Sequence, residues 1–458
     1  MLRSRGRIPS TADGIPRAPG GLPFVGHGAR LLRDPLGFLS SLPGHGDLVR
    51  VRIGPSRVIV VCDPGLARKV LLNDRAFDKG GPLVSRAREV AGNGLLTCPH
   101  HEHRRQRRLI QPAFHRDRMP GYAHAMSARV ADTIAGWRKG EVIDVPAAMY
   151  TLAATITVEA MFSSDLPPAA IGTAIDDLTT IVRGMLPRML RPALADHLPT
   201  PGNRGYRRAG ARLRRQLNDI IASRRADGTD HGDMLSAVLA ACDPDGAGGR
   251  LSDAEVSDQV LTIFGAGTET TAATMAWALH LLARHPEVER QVHEEVDAAL
   301  AGAPAAPGHL PLLPVTGNVV TEALRLYPPI WIATRTLTSG TRFGGHDFPP
   351  GTVFAYSPYL LHHRADLYTD PERFDPARWD GDRPRPPRDA YLPFGAGARK
   401  CIGDQFGIME ATLALATIAG RWRLRSLPGP AIRPATGITL SPRRLRMRVT
   451  ARTSGTPA

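Results

Sequence analysis

Cysteine is scarce in this chain of 458 residues. There are four, Cys62, Cys98, Cys242 and Cys401, all far apart. None stands in a CxxC pair, which argues against a zinc ribbon or a disulfide-stapled scaffold and fits a reducing, cytoplasmic setting. Aromatic residues make up only 5%, too few for the base-stacking platforms of a single-strand nucleic-acid binder. The N-terminus, MLRSRGRIPSTADGIPRAPGG, is basic and proline-rich and has no apolar h-region. Neither a signal peptide nor a membrane anchor is expected there. Internal repeats are absent, and no linker is long enough to divide the chain. The organisation expected is a flexible segment over 1–20 and a single large domain over 21–458.

Apolar residues, at 42%, are enough for a sizeable core, and the formal net charge is +15. A surface this basic suits an acidic protein, anionic lipid or nucleic acid, although an arginine-rich composition alone produces the same number. VRVRIGPSRVIVVCDP alternates around a Gly-Pro turn and reads as a β-hairpin. Further on the pattern is helical, over 145–162 and 207–225. The clearest helix starts at Ser252, where SDAE forms a capping box, and runs to His285 before Pro286. At 1.5 Å per residue it would be roughly 50 Å long and apolar enough to cross the centre of the molecule. Two more helices are expected over 287–300 and 312–326, then short strands over 330–359. The fold class is mainly α with a smaller β region.

One stretch asks for a chemical explanation. FGAGARKCIG, residues 394–403, presents Cys401 after two glycines and ahead of a largely apolar run of helical length. At a helix N-terminus, free amides and the macrodipole favour a thiolate. A lone buried cysteine is most often a small hydrophobe. A lone thiolate with no neighbouring cysteine or histidine suits one axial position on a haem iron. The frame Phe394-x-x-Gly397-x-Arg399-x-Cys401-x-Gly403 resembles the haem-binding signature of the cytochrome P450 family at every defined position. GAGTETT (265–271), EALR (322–325) with LYPP, PERF (371–374) with DPARW, and HEHRRQRRLIQPAF (101–114) resemble further family motifs, in family order over nearly the whole chain.

The resemblance implies a cytochrome P450 fold with a long central helix over haem b, and Cys401 as the iron ligand. It implies that Phe394, Gly397, Arg399 and Gly403 shape the cysteine loop, with His103, Arg107, Arg335 and Arg399 on the haem propionates. Glu322, Arg325 and Arg373 would form a buried charged triad behind the haem. Gly265 and Gly267 would loosen the central helix for dioxygen. Thr270 and Glu269 would be the alcohol and the acid that deliver protons. A zinc site at CPHHEHR has no familiar spacing.

For substrate, the resemblance points to apolar walls carrying Leu83, Met185, Ile263, Phe264, Ala266, Gly267, Ile330, Trp331 and Ile438. The wording resembles bacterial sesquiterpene oxidases of the pentalenene oxygenase type, with one or more oxidations of an unactivated C–H bond in secondary metabolism. A fatty acid, steroid or polyketide also fits an apolar pocket, and a fatty acid would need a cation such as Arg86 or Arg88. A non-catalytic haem or redox protein is the alternative class. The partners implied are an acidic ferredoxin with its reductase, meeting Arg104, Arg105, Arg108 and Lys400, together with O2 and a small hydrophobic substrate. A monomer that binds no nucleic acid is expected.

Overall fold

The Gly-Pro turn does what its sequence predicts: β1 (Leu48–Ile53) and β2 (Ser56–Val61) pair antiparallel in register from Leu48–Val61 to Ile53–Ser56. The computed structural model describes residues 14–163, 166–190, 193–243 and 249–452. These fall into two compact units, one of Met1–Ser85, Trp331–Pro371 and Pro386–Lys400, the other of Arg86–Ile330, Glu372–Arg385 and Cys401–Ala458.

The first unit is built on a five-stranded sheet. β3 (Phe77–Lys79), β4 (Ala333–Leu337) and β5 (Val353–Tyr356) join the hairpin in the order β1-β2-β5-β4-β3. Only the β2–β5 pairing is parallel. Phe77, Phe343, Phe348 and Phe354 pack edge to face against the sheet, an arrangement their ring quadrupoles favour. Helices α1 (Gly28–Arg33) and α2 (Pro64–Leu72) flank it. Of the N-terminal segment expected to be flexible, residues 1–13 lie outside the described residues. Ile15 and Ala18 are buried, and the Ala18 amide donates to the Arg50 carbonyl at 2.9 Å, so this stretch is tied to β1.

The second unit is helical. Its main elements are α3 (His100–Ile110), α4 (Val145–Phe162), α5 (Pro168–Leu190), α6 (Asp253–Arg284), α7 (Pro314–Leu326) and α8 (Asp404–Arg421). The capping box at Ser252 is in place and α6 runs unbroken for 32 residues. No opening appears at Gly265 or Gly267. Gly267 instead lets α4 approach: a Cβ there would stand 3.2 Å from the Thr157 hydroxyl. α4 is apolar and long enough to cross a membrane by composition alone, but it is mostly buried along α6 as a core helix. A short hairpin, β6 (Pro434–Thr436) and β7 (Leu440–Pro442), docks on α6. The Trp277 indole donates to the Leu440 carbonyl at 3.0 Å, and Trp277 stacks on Tyr327 at 3.7 Å.

Candidate haem-thiolate site

In the second unit α6 and α8 run side by side in the same sense. A Cβ on Gly407 would lie 3.6 Å from the Thr271 hydroxyl, and further along Ile418 and Ala419 line one small cavity with Leu279 and Leu282. Followed towards their N-termini, the two helices lead to Ala266 on α6 and to Cys401 just ahead of α8. Both are exposed. For an alanine in the middle of a long apolar helix, exposure marks a face that the protein itself does not cover. Gly403 is the N-cap of α8. Arg107, on α3, is half-buried, and burial holds its guanidinium below the usual value against the attraction of Cys401 and Asp404. A cation therefore stands beside the cysteine. His103 lies one turn earlier on α3, buried at 3% exposure.

In the first unit, the segment that precedes Cys401 in sequence turns on two glycines. Gly395 and Gly397 take positive φ, 67° and 71°. A Cβ at Gly397 would come within 2.5 Å of the Leu71 carbonyl, so only glycine allows the loop to lie on α2. Arg399 is buried and bonds to Asp78 at 2.8 Å, with Asp74 at 3.5 Å. Its guanidinium is paired with carboxylates. Phe394 is half-buried. Arg335 is different. It is 3% exposed, its guanidinium donates to the Thr334 carbonyl at 3.0 Å and lies over the Tyr356 ring, and no carboxylate among the described residues meets it.

These donors fit haem b. An exposed thiol at the head of a helix would hold the iron as a soft thiolate ligand. Acidic propionates require cations, and each unit has one of its own that suits them: Arg107 beside Cys401 in the second, and Arg335, met by no carboxylate among the described residues, in the first.

The charged triad needs correction. Glu322 and Arg325 are both fully buried and paired by two bonds, at 2.8 and 2.9 Å. Arg373, expected as the third member, is exposed, and only its carbonyl takes part, accepting from Arg325 at 3.0 Å. The third charge is Arg378, whose Nε is 3.5 Å from Glu322. Trp379 donates its indole N–H to Glu322 at 2.8 Å, and the Asp375 amide adds a bond at 3.1 Å. The turn Pro376–Trp379 aims these groups inward. PERF and PARW both read Pro-x-Arg-aromatic, so the sequence alone offered two arginines for one place.

On α6, the Thr270 hydroxyl donates to the Ala266 carbonyl at 2.7 Å and thus folds back on its own helix. The Glu269 carboxylate accepts from Thr439, at the tip of the β6–β7 hairpin, at 2.8 Å. Burial pushes its carboxyl up, against the pull of the Thr439 hydroxyl and Arg183. Thr439 carried no motif and escaped sequence reading.

Among the expected wall residues, Ala266 is exposed, and Ile263, Gly267, Ile330 and Ile438 are half-buried. Met185 is buried on α5, and Phe264, at 2% exposure, belongs to the packed side of α6. Trp331 is half-buried in the first unit, with its carbonyl accepting from Ser357 at 2.6 Å. The Leu83 side chain lies outside the described residues.

The model of the cytochrome P450 family matches residues 16–447. The chain belongs to the cytochrome P450 family. It is 46% identical to pentalenene oxygenase of Streptomyces avermitilis over 440 residues, 96% of this chain and 98% of that protein. It is also 46% identical to cyclooctat-9-en-7-ol 5-monooxygenase of Streptomyces melanosporofaciens, over 93% of this chain and 95% of that one. Among solved structures, the haem domain of cytochrome P450DA superposes with a TM-score of 0.86 at 28% identity, covering 96% of this chain and 98% of that one. The protein is a cytochrome P450 monooxygenase, and its cofactor is haem b with a cysteine thiolate on the iron.

Proposed function

We propose that this P450 hydroxylates a cyclic terpene hydrocarbon, of sesquiterpene size, at an unactivated C–H bond, in the cytoplasm and with electrons from an acidic ferredoxin. In this reading Cys401 would hold the iron, and by family resemblance His103, Arg107 and Arg335 would serve the propionates, while Arg399 would have to give up Asp74 and Asp78 to do so. The bound haem supplies the iron at which O2 is activated. Glu269, its carboxyl raised by burial, would be the acid of the proton-delivery pair, and Thr270 would exchange its bond to Ala266 for one that passes the proton on.

The observation that carries the substrate class is the state of the two arginines a fatty acid would need. Arg86 is held between Glu89 at 2.6 Å and Asp196 at 2.7 Å. Arg88 donates to the Thr97 carbonyl. Both are committed within the protein, and a carboxylate tail would have to break these contacts to be anchored. A neutral hydrocarbon asks for no anchor, because its affinity comes from burial at roughly 25 cal/mol per Å². The names of the relatives support a neutral terpenoid: pentalenene is a hydrocarbon and cyclooctat-9-en-7-ol an alcohol, and neither carries a carboxylate.

A substrate panel scored by the shift of the haem spin state tests the proposal. Polycyclic terpene hydrocarbons should shift the wild type, and Trp331→Ala should weaken them about ten-fold. Tight shifts with fatty acids that vanish in Arg86→Ala or Arg88→Ala overturn the terpene reading. In the same samples Cys401→Ser should lose the red-shifted Soret band of the reduced carbon-monoxide complex.

A further inference from the structure

Of the large apolar side chains exposed among the described residues, four lie over 22–32 of the first unit, Leu22, Phe24, Val25 and Leu32, and a fifth, Ile53, at the end of β1. Phe24 is the extreme case, 92% exposed, with φ at +60°. A non-glycine residue in the left-handed region costs conformational energy, and an exposed phenylalanine recovers none of it by packing. The surrounding chain enforces the geometry. Leu22 and Gly26 exchange both backbone bonds, at 2.8 and 3.0 Å, closing a turn with Pro23, Phe24 and Val25 at its tip. The turn is pinned along the end of β1, where His27 N–H donates to Arg52 O at 2.6 Å and Gly54 N–H to Val25 O at 3.0 Å. A Cβ on Gly26 would collide with the Arg52 carbonyl at 2.2 Å. The Gly28 amide bonds the Val25 carbonyl at 3.2 Å, so α1, which carries Leu32, continues directly from the tip.

The charge around this tip is mostly positive. Residues 14–57 contain six arginines and two acids, Asp34 and Asp47, a net of four positive charges. Arg17, Arg30, Arg33, Arg52 and Arg57 are exposed. Arg52 bonds the Leu22 carbonyl at 2.7 Å and Arg30 the Pro19 carbonyl at 3.1 Å, which holds two guanidiniums beside the tip. A rigid apolar tip ringed by arginines matches the two components of an anionic bilayer surface, acyl chains beneath phosphate headgroups. An apolar cluster of this kind on a soluble surface marks an interaction site.

We propose that the 22–26 turn and α1 form a peripheral docking surface for anionic lipid, with Phe24 and Leu32 entering the interface and Arg30, Arg33 and Arg52 meeting headgroup phosphates. This stands on the patch itself and does not depend on the substrate proposed above, although a hydrocarbon that dissolves in a bilayer gives such docking a use. The test is sedimentation of the full-length, haem-loaded protein with phosphatidylcholine vesicles, with and without phosphatidylglycerol. Binding should require phosphatidylglycerol and decline with salt. Phe24→Ser with Leu32→Ser should lower partitioning at least ten-fold at unchanged Tm, and Arg30→Gln with Arg33→Gln should lower it specifically on anionic vesicles. No binding to either vesicle, or binding indifferent to these substitutions, overturns the proposal. So does a concentration-dependent dimer abolished by Phe24→Ser, which would assign the patch to a second copy of the chain.

Discussion

Glu410 lies on α8 beyond the cysteine, wholly buried, with neither carboxylate oxygen hydrogen-bonded. Burial holds its carboxyl well above the ordinary 4.5. From about that pH up to its higher folded value, the unfolded chain has lost the proton while the folded chain keeps it. Stability therefore falls as pH rises through the window. Glu410→Gln removes the titration and keeps the shape. Its Tm should exceed the wild type by a few degrees at pH 8 and match it at pH 4, and an equal change at both would show that the proton is irrelevant. Glu322 makes a second residue-scale test. Arg378→Ala removes a charge from a fully buried carboxylate and should cost about 1–3 kcal/mol in urea unfolding. Arg373→Ala keeps its carbonyl and should stay within ~0.5 kcal/mol. The reverse ranking would restore the triad that the PERF wording suggests.

At the scale of elements, what was local in sequence was legible. The Ser252 capping box and Pro286 bracket α6 because both act within one turn of the chain. The hairpin β1–β2 follows from one Gly-Pro turn. The parallel β2–β5 pairing joins residues nearly three hundred positions apart, and no local pattern encodes it. The same division runs through the site. The glycines of the cysteine loop announce positive φ, whereas Thr439 is an ordinary threonine until the β6–β7 hairpin brings it to Glu269. That contact yields a prediction. The Thr439 hydroxyl favours the ionised form of Glu269, so Thr439→Val should push the carboxyl further up. The alkaline limb of the pH–rate profile should move to higher pH, with Thr439→Ser close to the wild type. An unmoved limb in Thr439→Val would mean that Glu269 does not limit turnover.

For the whole molecule, the formal charge of +15 bears on encounter with an electron donor, and the arginines expected to meet it differ in whether they are already paired. Arg105 is paired with Glu255 at 2.6 Å, at the first turn of α6, and Arg108 with Asp243 at 2.5 Å. Both are engaged within their own unit, and substitution there should act chiefly on stability. Arg104 is exposed on α3 and has no such pair among the described residues. Long-range attraction raises the rate of encounter far more than the strength of the final contact, and salt screens it over about 8 Å at physiological ionic strength. Arg104→Gln should therefore slow stopped-flow reduction by an acidic ferredoxin about two- to five-fold at low salt. The difference should disappear near 0.5 M salt, where screening removes the attraction from wild type and variant alike. Arg105→Gln should lower Tm and leave the reduction rate within about two-fold. If Arg105→Gln slows reduction and Arg104→Gln does not, the ion pair with Glu255 opens on docking and the donor meets the N-terminal end of α6. If neither does, the donor approaches another surface.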